Sequence, residues 1–221
     1  MLVLFDVDGT LVDTDAQIGG IMVSAFEAAG LPPPSLAQVV ETIGLSLPEM
    51  VEHLAAQSTV TITIDCCAKI VAGYRLRFAD ALARKEEPPV FPNTETTLLR
   101  LRRVGMTLGI ATGKSRLGVD YVLDAMDWRG HFQTVQCADD NPSKPDPTMV
   151  EKALAATGTD RTQAVLVGDT SFDMEMAAAC GVRAIGVAWG YHRPERLLSA
   201  GAETVVDDFE TLGTLLLESN R

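Results

Sequence analysis

The sequence predicts an α/β fold, in which a doubly wound parallel sheet is interrupted after its first strand by an all-helical insert. From residue 91 onward, short runs that are apolar at nearly every position alternate with helical stretches. Strands that are apolar on both faces are typical of a parallel sheet covered by helices. Between residues 14 and 83, by contrast, amphipathic helical patterns dominate.

Five apolar runs are predicted as strands because each ends in a polar or glycine-containing turn. They span residues 2–9, 107–113, 132–139, 164–170 and 183–190, the third being the weakest. The stretches TETTLLRLRRVG, SRLGVDYVLDAMD and PTMVEKALAATG separate several of them with helical periodicity. Parallel strands need crossover connections of this length, so a sheet with crossover helices is the natural assembly.

The insert is predicted to hold four helices, at residues 16–30, 35–44, 47–57 and 66–84. The β-prone run TVTITI is expected in a connector, and KEEPPVFP reads as the linker that returns to the sheet. These patterns predict an α/β core formed by residues 1–13 and 84–221 and a helical domain formed by residues 14–83.

Composition limits the classes of function. The 221 residues carry a formal charge of -12, which argues against a nucleic-acid surface but not against a small anionic substrate. No apolar run approaches the ~20 residues of a membrane helix. The N-terminus lacks a signal-peptide pattern, so a cytoplasmic protein is expected, with its four cysteines reduced.

Polar residues gather where the predicted strands end, and ligands of open parallel sheets bind at that edge. Four carboxylates meeting there would repel one another unless a cation lies among them. A hard divalent cation, Mg²⁺ above all, takes oxygen ligands of this kind. The residues concerned are Asp6, Asp8, Thr112, Gly113, Lys144, Asp169 and Asp173.

Four motifs in this order resemble the haloacid dehalogenase superfamily. They are DVDGT after an apolar strand, Thr-Gly at a later strand end, a lysine in a KPDP loop, and GDTSFD after another strand. Within the superfamily, the chain is most similar to small phosphatases of the phosphoglycolate phosphatase type. The resemblance covers essentially the whole chain and implies a Rossmann-like core with the helical insert as its cap domain.

The resemblance implies a role for each acid of DVDGT. Asp6 would attack the substrate phosphorus and form an aspartyl-phosphate. Residues i and i+2 of an extended segment face the same way, so Asp8 can reach the leaving oxygen as general acid and base. Gly9 permits a close backbone turn beneath the phosphate. Metal binding would fall to Asp6, the Asp8 main-chain carbonyl and Asp169, with Asp173 orienting metal-bound water.

The other motifs are expected to bind the transferring phosphoryl group. Thr112 would donate its hydroxyl, Gly113 its backbone N–H, and Lys144 a compact positive charge. Gly113 stands where related proteins often have asparagine, so the contacts there are expected to differ. Lys114 is expected to be an ordinary surface lysine.

The sequence thus predicts a Mg²⁺-dependent phosphatase for a small phosphorylated metabolite, phosphoglycolate or a sugar phosphate, acting as a monomer or homodimer. A capped phosphomutase is the main alternative, weakly disfavoured because the cap segment ETIGLSLPEM contains no Lys or Arg. A dehalogenase is disfavoured by Asp8, which such enzymes lack. A binding module without turnover is disfavoured because all the expected catalytic groups are present.

Overall fold

The computed structural model describes residues 1–219. Its helical insert contains four helices whose apolar faces form their own core, with α1 packed along α4. The helices are α1 (Asp15–Ala28), α2 (Leu36–Val40), α3 (Leu47–Ala56) and α4 (Ile64–Leu82). The predicted all-helical cap is confirmed, whereas the exact domain boundaries at residues 14 and 83 stay a prediction.

Helix α2 is shorter than its pattern predicted. Ser35 caps its first turn by accepting the Gln38 N–H, but the helix ends at Val40. The following residues turn sharply at Gly44, whose φ of +105° favours glycine. The helical periodicity of the sequence therefore extends past the end of α2 into a loop. This loop lies over the carboxyl end of the sheet.

The core contains a parallel sheet of six strands in the order β3-β2-β1-β4-β5-β6. All five predicted strands form. The sixth, a three-residue edge strand, was missed because it is too short to show a pattern. The strands are β1 (Leu2–Phe5), β2 (Thr107–Thr112), β3 (Thr134–Cys137), β4 (Ala164–Gly168), β5 (Arg183–Val187) and β6 (Thr204–Val206).

Helices cover both faces of this sheet, as the apolar strands predicted. In β1, Val3 and Phe5 pack into the cluster with α5, α6 and α10, whereas Leu2 and Leu4 pack into the cluster with α7, α8 and α9. The core helices are α5 (Thr94–Arg103), α6 (Arg116–Ala125), α7 (Thr148–Thr157), α8 (Ser171–Ala179), α9 (Pro194–Ser199) and α10 (Phe209–Ser219). The α/β doubly wound fold is confirmed.

Strand β1 lies at the centre of the sheet, between β2 and β4. The chain order reverses on the two sides of β1, and ligands of such sheets bind at the carboxyl end of this switch point. The Asp6 N–H continues the ladder by donating to the Val167 carbonyl at 3.0 Å. The first motif therefore starts directly at the switch point.

Across residues 1–219, none of the helices combines the length and the apolar character needed to cross a membrane.

The central strand β1 is completely buried, so the loss of a side chain there should destabilise the fold. We expect Leu4→Ala to lower the free energy of unfolding by about 2 to 5 kcal/mol, because Leu4 is completely buried and its loss leaves a cavity. Leu198→Ala is the matched control, since Leu198 is 51% exposed on α9, and its effect should stay within about 0.5 kcal/mol. Urea unfolding measures both, and equal effects would contradict the assigned core.

Candidate active site

The turn after β1 places two carboxylates at the switch point. Asp6 is completely buried and Asp8 is 6% exposed. Gly9 follows with φ +81°, and a Cβ atom there would lie 2.2 Å from Asp169 Oδ2. Only glycine therefore allows the turn to run this close to Asp169.

Asp6 is the least satisfied polar group of the site. The ammonium of Lys144 lies 2.9 Å from its Oδ1. Within residues 1–219, however, neither carboxylate oxygen of Asp6 has a hydrogen bond of good geometry. Buried carboxylate oxygens are rarely left in this state without a ligand, so both atoms are candidates for binding one.

Two further carboxylates, each on the loop or helix after β4, lie beside Asp6. Asp169 accepts the Thr10 hydroxyl on Oδ1 and the Tyr191 N–H on Oδ2, both at 2.9 Å. Asp173 accepts the Lys144 ammonium on Oδ1 at 2.5 Å and the Thr170 hydroxyl on Oδ2 at 2.6 Å. One oxygen from each of the three acids lies within 4.8 Å of the others.

Burial dominates the electrostatics of this cluster. It raises the pKa of Asp6 to about 6, and although Lys144 opposes the rise, Asp173 adds to it. Burial, Asp6 and Asp173 together raise the pKa of Asp169 well above its usual range. Burial also lowers the pKa of Lys144, but the charges of Asp173 and Asp6 outweigh that effect, and Lys144 stays protonated. Within residues 1–219, the Lys144 ammonium is the cation in contact with this cluster of three buried acids, and it binds Asp6 and Asp173.

The excess of negative charge in this cluster favours the binding of a divalent cation. Apart from the nearby Lys144 ammonium, the part of the chain that the structure describes offers the Asp6 oxygens no donor of good geometry. The three acids present carboxylate oxygens, and such ligands suit Mg²⁺. Asp6 and Asp169 are the best placed to hold the ion. Asp173 is already engaged by Lys144 and Thr170, which agrees with a supporting position. The Asp8 side chain lies outside this group of three acids.

Asp8 is held by two donors on the same oxygen. Its Oδ1 accepts the Thr14 hydroxyl at 2.5 Å and the Lys114 ammonium at 2.6 Å. The expectation that Lys114 is a surface lysine is wrong: the residue is only 9% exposed. Its stem fits because Gly118 leaves room on α6, where a Cβ atom would lie 2.8 Å from Lys114 Cε.

The end of β2 brings Thr112 and Gly113 to the same edge. The Thr112 hydroxyl accepts the Lys114 N–H at 3.2 Å and lies near enough to Asp6 to lower the pKa of that acid. A Cβ atom on Gly113 would lie 2.2 Å from the Gly44 carbonyl oxygen of the cap loop. Gly113 therefore allows the backbone of the cap to touch the backbone of the core.

All the sequence-predicted site residues meet at one end of the sheet, and several supporting residues were not predicted. Thr10 ends the first motif and Thr14 follows four residues later, and their hydroxyl groups were the available signal. Tyr191 lies near the C-terminus, and its hydroxyl accepts the Thr14 N–H at 3.0 Å. No sequence pattern indicates that this tyrosine would join the first motif to the last strands.

A cavity of about 580 Å³ lies between this edge and the cap. Asp6, Asp8 and Thr112 line its core side. The Ser46 N–H of the cap donates to Ser143 Oγ of the core at 2.8 Å and helps to close the wall. The cavity thus encloses the reactive carboxylates together with space for a ligand.

The acidic cluster predicts metal-dependent stability. Mg²⁺ should raise the unfolding temperature of the metal-free protein, since a ligand at a hundred times its Kd adds about 2.7 kcal/mol to the folded state. Asp169→Asn should lose most of this gain, while the exposed control Asp80→Asn should keep it. Differential scanning calorimetry with and without Mg²⁺ measures the effect. An undiminished gain in Asp169→Asn would contradict the assigned metal ligands.

The comparisons with known proteins agree with this geometry. A family model described as haloacid dehalogenase-like hydrolase matches residues 3–187. The chain is 32% identical to "Probable phosphatase IndB" of Dickeya dadantii, over 94% of this chain and 90% of that protein. It is also 32% identical to a plasmid-borne phosphoglycolate phosphatase of Cupriavidus necator, over 97% of this chain and 92% of the relative.

A solved structure of a hydrolase from Pseudomonas syringae superposes with a TM-score of 0.86 at 24% identity, covering 98% of this chain and 97% of that one. This likeness supports the fold. The predicted family and the predicted enzyme class, a phosphoric monoester hydrolase, agree with the family model and the relatives named phosphatases. The chain belongs to the haloacid dehalogenase-like hydrolases.

Proposed function

We propose that the protein is a Mg²⁺-dependent phosphatase that hydrolyses a small phosphorylated metabolite through an aspartyl-phosphate on Asp6. One observation carries the proposal. Asp6 is completely buried at the switch point, its oxygens have no hydrogen bond of good geometry among residues 1–219 although the Lys144 ammonium lies nearby, and it lines the cavity between core and cap. Such a carboxylate is costly to the fold and is available to react.

In the first half of the reaction, an Asp6 oxygen attacks phosphorus while the bond to the leaving oxygen breaks. Asp8 donates a proton to that oxygen, so the alcohol leaves as a neutral molecule. In the second half, water attacks the aspartyl-phosphate, Asp8 takes the proton of that water, and inorganic phosphate is released. Asp6 and Asp8 are thereby restored.

The contacts of Asp8 suit this double role. Thr14 and Lys114 both bind its Oδ1, which fixes the carboxyl group and leaves Oδ2 to carry the transferred proton. Lys114 thus orients the general acid from the core side. The same lysine lies 5.4 Å from the centre of the Phe78 ring, so its position also depends on the cap.

Lys144, Thr112, Gly113 and Gly9 are proposed to bind the transferring phosphoryl group. Lys144 lies against Asp6 and supplies the positive charge that phosphoryl transfer requires. The Thr112 hydroxyl accepts a hydrogen bond from Lys114 N–H, so its own proton is free to be donated. The backbone N–H groups of Gly113 and of the turn at Gly9 are the further donors.

Asp6, Asp169 and the Asp8 main-chain carbonyl are proposed to hold Mg²⁺, with Asp173 supporting them. When bound, the ion supplies positive charge that lets the acids stay ionised beside an anionic substrate. Asp169 is suited to this role because hydrogen bonds from Thr10 and Tyr191, one to each oxygen, hold its carboxylate in a fixed orientation.

The alternatives are less well supported. A phosphomutase must hold a second phosphate, but the cap loop at residues 41–50 contains no Lys or Arg, and among the described cap residues that line the cavity only Arg75 is cationic. A dehalogenase has no use for the acid at Asp8. A binding module without turnover does not explain why Asp8 and Lys114 are arranged beside Asp6.

The mechanism predicts that Asp6→Asn abolishes phosphate release, because the amide is a poor nucleophile. A panel of phosphorylated metabolites, with phosphoglycolate first in view of the named relatives, should release phosphate only with Mg²⁺. Asp80→Asn should retain full activity. Undiminished release in Asp6→Asn, or no release from any compound by the wild type, would contradict the proposal.

The contact between Gly113 of the core and Gly44 of the cap predicts an effect on kcat/KM. In Gly113→Ala the new methyl group would collide with the Gly44 carbonyl, so the cap loop must move away from the site. We expect kcat/KM to fall at least about tenfold because a displaced wall admits water and misplaces the substrate. Gly20→Ala on α1 is the control, since its methyl group meets open space. Equal activity of both variants would show that this contact is dispensable.

A further inference from the structure

The two walls of the cavity differ in chemistry. The core wall carries the reactive groups, whereas the cap wall is mostly apolar apart from Ser46, Tyr74 and Arg75. The apolar cap side chains that line the cavity are Ile18, Ile43, Leu45, Leu47, Met50 and Phe78. An apolar wall favours an apolar part of the ligand, because burial of apolar surface supplies most of the binding energy.

Several polar side chains on the core wall hold their own loops, whereas Asn141 Oδ1 has no hydrogen-bond partner within residues 1–219. Ser115 Oγ accepts the Gly118 N–H at 3.3 Å, and Asp139 Oδ2 accepts the Arg116 N–H at 2.6 Å. Ser143 Oγ accepts the Ser46 N–H. Asn141 and Arg75 can pair with a few polar atoms of a ligand, but a ligand with many hydroxyl groups would bury the remainder against apolar atoms, at a cost for each one.

Besides Ser46 and the exposed Arg75, the polar cap residue that lines the cavity is Tyr74. It is 8% exposed and lines the cavity, yet within the described part of the chain its hydroxyl makes no hydrogen bond. Burial and the nearby charge of Asp8 raise the pKa of this phenol, so it remains neutral. A neutral, buried and unpartnered O–H group that lines a ligand cavity is suited to donate to a ligand atom.

The position of Tyr74 is fixed by its neighbours. It stacks on Phe78, one helical turn along α4, with ring centres 5.9 Å apart and planes inclined by 19°. Phe78 in turn lies beneath the Lys114 ammonium that binds Asp8. The aromatic pair is thus coupled to the general acid, which places Tyr74 near the part of the substrate that leaves.

The cavity volume of about 580 Å³ falls within the range of about 300 to 1,000 Å³ found for sites of drug-sized ligands. The carboxymethyl group of phosphoglycolate would occupy little of this space beside the phosphate. A ring-sized leaving group would contact both the reactive edge and the apolar cap.

We propose that the substrate is a phosphate monoester whose leaving alcohol has a ring-sized, mainly apolar body that carries a hydrogen-bond acceptor, and that Tyr74 selects it by donating to this acceptor. The inference rests on the proposed phosphatase function and names the class of its substrate. Tyr74 is then a specificity-determining residue, and the remaining cap wall binds the apolar body.

Four esters of primary alcohols test the proposal: benzyl phosphate, 2-pyridylmethyl phosphate, glucose 6-phosphate and phosphoglycolate. Using this one class of alcohol keeps differences in the chemical step small. We expect the two aromatic esters to have a kcat/KM at least about tenfold above the other two, because only they fill the apolar wall.

Tyr74→Phe separates the hydrogen bond from packing. It should lower kcat/KM for 2-pyridylmethyl phosphate about three- to tenfold while benzyl phosphate changes less than about twofold, since only the pyridine ring offers an acceptor. Tyr121→Phe is the matched control, because the Tyr121 hydroxyl donates to the Glu86 carbonyl and the residue does not line the cavity. It should leave the ratio of the two aromatic esters unchanged.

Three results would overturn the inference. These are a preference of about tenfold or more for glucose 6-phosphate or phosphoglycolate, an equal loss on both aromatic esters in Tyr74→Phe, and wild-type inhibition by benzylphosphonate no weaker than by its 2-pyridylmethyl analogue. The inhibition measurement needs no variant, so it remains decisive if Tyr74→Phe does not fold. Asp6-dependent hydrolysis of phosphoglycolate alone would refute the substrate class but leave the phosphatase standing, whereas no hydrolysis of any ester would refute both.

Discussion

The burial of three acids around a single ammonium is the constraint on which the rest of the structure depends. Asp6, Asp169 and Asp173 all lie at the carboxyl end of the central strands, and Lys144 is the cation that contacts two of them. In a low-dielectric site, such an arrangement is costly unless each oxygen is hydrogen-bonded or coordinated. The fold meets this need for Asp169 and Asp173 with fixed donors, and leaves Asp6 open.

The surrounding backbone and side chains position the acids of this cluster. Gly9 gives the turn room to pass Asp169, and the β1 ladder continues as far as the Asp6 N–H. Tyr191 connects the cluster to the entry of the cap, since its N–H binds Asp169 and its hydroxyl accepts the Thr14 N–H. The site is therefore rigid on the core side, and the freedom that remains belongs to the cap and to the ligand.

The main features of the sheet and of its reactive edge could be predicted because they follow from backbone topology. Short runs that are apolar at successive positions and bounded by turn residues favour buried strands, and parallel strands carry the residues that follow them to a common edge. Asp6, Thr112 and Lys144 were found in this way. Strand β6 was missed because three residues carry too little pattern, and α2 was predicted too long because periodicity does not reveal the turn at Gly44.

Contacts between segments that are distant in the chain could not be predicted from the sequence. The burial of Lys114 depends on the missing side chain of Gly118 and on a phenyl ring from the cap, 36 residues earlier in the chain. The free hydroxyl of Tyr74 depends on what α4 faces, which helical periodicity leaves open. A single sequence indicates which chemistry lies at a strand end, but not which side chain of an inserted domain is turned toward it.

The position of Lys114 connects the cap to Asp8 of the core. The ammonium lies between Asp8 of the core and the Phe78 ring of the cap, so departure of the cap removes one of the two groups that keep it in place. Asp8 would then keep its contact with Thr14, while Lys114 would be held less firmly. Under the proposed mechanism, proton transfer through Asp8 is therefore best supported when the cap lies against the core.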